Sequence, residues 1–81
     1  MVKNDYMLDL ISYVAKALVD NPDEVEVNRS EGDRSVVYEL RVAEGDRGRV
    51  IGREGQTIQA LRTLVKAAAG SEEKPVLEIP G

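Results

Sequence analysis

The sequence predicts an α+β domain in which three helices pack on one face of a three-stranded sheet, in the order α-β-β-α-α-β. Three observations predict it. Apolar residues near the start recur at spacings of three and four, the period of a helix. Two valine-rich stretches then alternate apolar with charged residues, the period of a strand. A second helical pattern, interrupted by Gly52 and Gly55, leads into a short apolar run between two prolines. The 81 residues make one domain, residues 1–81, with no repeat and no internal linker.

The first helix has Asn4 or Asp5 as its cap. Met7, Leu10, Ile11, Val14 and Leu18 form its apolar stripe, widened by Leu8, Ala15 and Val19. It ends at "DNPDE", because Pro22 disfavours helical geometry at Asn21. "EVEVNRS" follows as a half-buried strand, and "EGD" (Glu31 to Asp33) as a turn. "SVVYELRVA" is the second strand of this hairpin. Val36, Tyr38, Leu40 and Val42 share one face, with Glu39 and Arg41 on the other.

"EGDRGRVIG" opens a short helix with Asp46 as its N-cap, and Gly52 ends it. A longer helix runs from after Gly55 to about Ala69, with Ile58, Leu61, Leu64, Val65 and Ala68 on its apolar face. Gly70 and Ser71 stop it. "PVLEIP" is a last strand whose flanking prolines suit an edge position. The helical pair before it leaves room for a crossover.

Composition narrows the function. Apolar residues make up 42% and charged residues 32%, the balance of a folded globular domain. Cys and His are both absent, which excludes disulfides, thiolate chemistry, zinc sites of the usual kind and His-based catalysis. No cofactor is expected. No apolar run is long enough to span a membrane, and the start has acidic residues where a signal peptide has its apolar stretch. The expectation is a cytoplasmic protein with no membrane partner. Net charge is −4, unevenly spread. Arg47, Arg49, Arg53, Arg62 and Lys66 against Glu54 give the segment from 47 to 66 a local sum of +4, so the remainder sums to −8. An anionic partner can be steered to that one segment.

Glycine inside a helix costs about 1 kcal/mol relative to alanine, so the interruption at "GREG" needs a reason. Gly52 lets the chain leave the short helix in a conformation that a β-carbon penalises. Gly55 lets a ligand backbone approach closely. The longer helix starts there, and its first amides and positive dipole end make an anion site. Arg53 adds charge at the tip. A phosphodiester suits such a loop. A bare GxxG is common as a plain turn; Val50, Ile51, Ile58 and Leu61 at fixed offsets around it make this one more specific.

"VIGREGQTIQAL" resembles the signature of the KH domain, whose GxxG loop clamps about four nucleotides of single-stranded RNA or DNA. The element order resembles the type II, prokaryotic arrangement. "LVDNPDEVEV" and "LRTLVKAAA" resemble the small single-KH bacterial proteins of the KhpA type, and the likeness covers nearly the whole chain. The resemblance implies that Gly52, Arg53, Glu54 and Gly55 form the RNA-gripping loop. Val50 and Ile51 precede that loop in the matched motif, and Gln56 follows it; as an RNA-binding module the chain would add the nearby charge of Arg49, with Arg62 as an extension, and Lys66, one turn further, is equally well read as a solvated charge. The resemblance implies an aliphatic groove for the bases. That suits a chain whose aromatics are Tyr6, Tyr13 and Tyr38 alone, too few for folds that stack bases on rings. Glu54 offsets part of the charge of Arg53. The resemblance also implies a role in post-transcriptional regulation, homodimers, and pairing with a larger KH-domain RNA-binding protein.

Other classes fit less well. A protein-interaction module with little RNA affinity of its own would use the small-residue face of Ala60, Leu64 and Ala67. An enzyme lacks a nucleophile–base pair, and the P-loop pattern GxxxxGK is absent. A DNA-reading helix-turn-helix would leave the strands without a role.

Overall fold

The computed structural model describes residues 5–33, 35–69 and 74–80. Helix α1 spans Asp5–Leu18, strands β1 and β2 span Glu26–Glu31 and Val36–Arg41, helices α2 and α3 span Arg47–Ile51 and Gln56–Ala69, and strand β3 spans Pro75–Glu78. The order is α-β-β-α-α-β, and the helices pack on one face of a sheet ordered β1-β2-β3. This is the type II KH arrangement.

The hairpin forms where the alternation places it, with two shifts. Pro22–Glu24 coils into a 3-10 turn, so β1 starts at Glu26 rather than Glu24. At the other end Glu31 still pairs with Val36, and the reversal runs from Gly32 to Ser35, closed by the Gly32 amide donating to the Ser35 carbonyl at 2.8 Å. The first cap, Asn4 or Asp5, and the stop at Gly70 and Ser71 fall outside the described residues or side chains.

β3 pairs parallel to β2, from Val36↔Pro75 to Glu39↔Glu78, so the α2–α3 pair is the crossover and β3 lies at an edge. Antiparallel strands need only a tight turn, whereas parallel strands need such a connection. β2 is the central strand, and its inward residues Val36, Tyr38 and Leu40 are buried. Met7, Ile11 and Ala15 of α1, Val50 of α2 and Ile58, Leu61 and Val65 of α3 close over them, with Leu77 from β3. Arg29 takes an inward position on β1 opposite Tyr38, and its guanidinium reaches Glu31 at 2.7 Å.

Leu64 departs from the expected apolar face. It is 42% exposed, while Leu61 and Val65 are buried. One residue of helix is roughly 100° of rotation, enough to carry Leu64 off the sheet-facing side.

Candidate functional site

The break between α2 and α3 is a tight, left-handed curl. Gly52 sits at φ 79°, ψ 170°, with its amide bonded to the Gly48 carbonyl at 2.8 Å. Arg53–Gly55 forms a 3-10 turn in which the Gly55 amide reaches the Gly52 carbonyl at 3.1 Å and the Gln56 amide reaches the Arg53 carbonyl. Glu54 lies at φ 56°, ψ 25° and Gly55 at φ 76°. The amides of Arg53 and Glu54 have no backbone acceptor among the described residues. Successive amides in such a turn form a concavity that accepts anions, and the positive end of the α3 dipole lies beside it. The free amides are therefore those after Gly52; that of Gln56, after Gly55, is already bonded within the turn.

The two glycines have different constraints. A β-carbon on Gly52 would lie 2.8 Å from the backbone nitrogen of Thr57 and closer still to its side chain. One on Gly55 would meet only Ile58 Cγ2, at 4.0 Å. Gly52 thus joins the loop to the first turn of α3, whereas the space beside Gly55 is open. Glu54 is the one described residue other than glycine with positive φ, a conformation that costs an ordinary side chain roughly 1–2 kcal/mol.

The residues around the loop divide into support and surface. Val50, expected beside the RNA, has no exposed area and packs in the core, so it braces the loop from beneath. Ile51 is half-buried. Arg53, Glu54 and Gln56 are exposed. Arg49 is exposed and forms an ion pair with Asp20 at 3.2 Å.

Asp46 was expected to cap α2, and it does not: its side chain makes no cap bond there. Instead its buried carboxylate accepts from the Asn21 amide (3.0 Å), the Asn21 side chain (3.0 Å) and the Asp20 amide (3.2 Å). It therefore ties the end of α1 to the start of the loop-bearing helix. Burial would raise its pKa, but the Asn21 side chain, the two backbone amides and the charge of Arg49 outweigh burial and hold the carboxyl below its ordinary value. A lowered carboxylate pKa stabilises the fold fully above the unfolded value of about 3.9, and that contribution is lost as pH falls through the lowered value. Acid titration of thermal stability is expected to show wild type losing this contribution below about pH 4. Asp46→Asn should be less stable at neutral pH and flatter across that acid window.

Beyond the loop, α3 and β3 border a cleft of about 300 Å³. Gln59, Thr63 and Lys66 line it from the helix, spaced so that a polar stripe runs on from Gln56. Pro75 and Val76 supply an aliphatic floor on the strand side. Arg62 lines the same cleft. Its Nε and Nη2 donate to the Leu77 carbonyl at 3.3 and 3.2 Å, so it is turned onto the edge strand. Arg62 and Lys66 are among the residues expected from the sequence; Gln59, Thr63, Pro75 and Val76 are not. The stripe of spacing three, four and three from Gln56 to Lys66 was the available signal. No ring lines the cleft: Tyr38 is buried, Tyr6 and Tyr13 are exposed on α1, and the Tyr6 hydroxyl donates to the Ala68 carbonyl at 2.6 Å.

Among the described residues, no group of three or more His, Cys, Asp or Glu side chains is placed to hold a metal ion. No described helix is long and apolar enough to cross a membrane.

Comparison with known proteins points to one family. The family model described as "KhpA/KhpB, KH domain" matches residues 8–79. The chain is 56% identical over 71 residues to the RNA-binding protein KhpA of Caldanaerobacter subterraneus subsp. tengcongensis, covering 88% of this chain and 95% of that one. It is 48% identical to the RNA-binding protein KhpA of Clostridium acetobutylicum, with the same coverage. Identity to the RNA-binding protein KhpA of Chlamydia trachomatis serovar D is 45% over 74 residues, covering 90% and 95%. No solved structure gives a match.

Proposed function

Because the chain belongs to the KhpA/KhpB KH-domain family, we propose that it binds single-stranded RNA as a non-catalytic module. The phosphate backbone is gripped at Gly52–Gly55, and bases lie in the α3–β3 cleft. The observation that carries this reading is the loop: two adjacent amides with no backbone acceptor among the described residues, at Arg53 and Glu54, lie next to a glycine whose β-carbon position is open, at the positive end of α3. Arg53 supplies mobile charge at the tip. Arg49 joins when a phosphate displaces Asp20 from its ion pair. The aliphatic cleft floor explains how bases are accommodated without aromatic stacking. In the cell this amounts to post-transcriptional regulation or RNA chaperoning in the cytoplasm.

One module touches few phosphates, so affinity is modest and the salt dependence shallow, roughly −0.7 in log K per phosphate contacted. Glu54 weakens the grip, because its carboxylate stands beside the phosphate path. Glu54→Lys is therefore expected to bind a single-stranded oligonucleotide several-fold more tightly. Its salt dependence should be steeper by up to about 0.7, read by fluorescence anisotropy at several salt concentrations. Unchanged affinity and slope would place the phosphates away from this loop.

A second reading is compatible with the first. Leu64 is exposed on a flank of α3 with Ala60 and Ala67, and Tyr6 and Tyr13 are exposed on α1. This surface supports a homodimer, or pairing with a larger KH-domain RNA-binding protein. Two weak sites joined in this way gain avidity for one RNA. Light scattering at micromolar concentration should give a dimer mass for wild type and a monomer mass for Leu64→Glu; a monomeric wild type would remove this reading.

A further inference from the structure

We propose that Arg62 is a base-selecting residue rather than another phosphate contact, and that it favours a base with two adjacent acceptors, guanine by its O6/N7 edge, over adenine. This rests on the RNA-binding reading above and adds to it a preference within the cleft.

The position of the guanidinium is the first ground. Arg53 and Arg62 are both exposed, but no hydrogen bond or ion pair holds the Arg53 side chain among the described residues, as suits a mobile phosphate contact. Arg62 is instead bonded through Nε and Nη2 to the Leu77 carbonyl, and it borders the cleft between α3 and β3. A forked guanidinium anchored on two nitrogens has lost most of its rotational freedom. Such a group reads geometry, not charge alone.

The chemistry of the remaining donors is the second ground. The two bonds to Leu77 leave the Nη1 amine and one proton of Nη2. Arginine has no acceptor. Lys66, one turn further along the same wall, is also a donor only. The charged part of the cleft therefore offers donors alone. Guanine presents O6 and N7 side by side as acceptors, whereas adenine presents an N6 donor beside N7. An adenine in the same pose would set its amine against the guanidinium. Single-stranded bases expose these edges, so the discrimination needs no duplex.

The third ground is space. A cleft of about 300 Å³ with an aliphatic floor at Pro75 and Val76 is large enough for a base plane to settle beside Arg62 without a stacking ring.

The test uses the full chain and oligouridine tracts carrying a single guanine or a single adenine, titrated by fluorescence anisotropy at two salt concentrations. Wild type is expected to prefer the guanine tract by about tenfold. Arg62→Lys keeps the charge but loses the fork, so the preference should fall to within about twofold while the salt slope is unchanged. Thermal melting of Arg62→Lys checks that the loss of the Leu77 contact has not unfolded the edge. No guanine preference in wild type, or a preference that survives Arg62→Lys in a folded protein, overturns the inference. So does a uniform loss for both tracts with a salt slope shallower by about 0.7 in Arg62→Gln, because that marks a phosphate contact. A wild type that binds neither tract overturns the RNA-binding reading itself. Guanine preference retained in a Gly55→Asp variant of undiminished affinity would overturn the loop grip and leave the role of Arg62 standing.

Discussion

Gly52→Ala lowers the stability of the domain by about 3 kcal/mol or more, a large part of the 5–15 kcal/mol typical of a small fold. Two effects combine. The backbone at φ 79°, ψ 170° is a region essentially closed to side chains. The new methyl would also lie 2.8 Å from the Thr57 backbone nitrogen, which is part of α3 and cannot rotate away. Urea denaturation should show a lower midpoint at unchanged slope. Gly48→Ala is the matched control. Its methyl would meet nothing within 4 Å, and it lies inside α2, so helix propensity should make it neutral or stabilising by up to about 1 kcal/mol. If both variants melted alike, the contact between Gly52 and Thr57 would have no energetic meaning.

Gly55→Asp abolishes most single-stranded RNA binding, by roughly tenfold or more, in a protein that remains folded. Gly55 has positive φ, but aspartate tolerates that region better than most side chains. The added atoms meet only Ile58, at ordinary contact distance. The carboxylate then stands in the open space beside Gly55 and repels a phosphate held by the loop. Gly55→Asn has nearly the same shape without the charge and should retain more of the affinity. This asymmetry makes the single Gly55 variant a cleaner probe than a double replacement of both glycines, whose fold the Gly52 change alone would compromise. Wild-type affinity in Gly55→Asp would move the phosphate site elsewhere.

Much of this was legible in the residues because it is local. The alternation of Val25, Val27, Val36, Tyr38 and Leu40 encodes the hairpin, and prolines around "VLEI" encode an edge strand. The need for glycine at 52 follows from a helix that stops and restarts within four residues. What was missed depends on partners distant in the chain. Asp46 looks like a helix cap in "EGDRGRV", but its acceptors are used by Asp20 and Asn21, which only the fold brings near. Val50 and Ile51 are equivalent as letters. The helix rotation alone decides that one is core and the other half-buried. Arg62 reads as surface charge until β3 arrives beside it.

That arrival also orders assembly in time. The hairpin can zip from its own turn, and α2 and α3 can coil from neighbouring residues. β3, by contrast, joins β2 only after the chain between Arg41 and Pro75 has been laid down, because the pairing is parallel. Contacts of such long sequence separation form slowly, after loop-closure entropy has been overcome. If β3 docks last, the curl at Gly52–Gly55 is complete while one wall of the cleft is still missing. On the proposed function, a nascent or partly opened chain in that state would hold a sugar–phosphate strand without distinguishing its letters, and discrimination would begin with the last strand to dock.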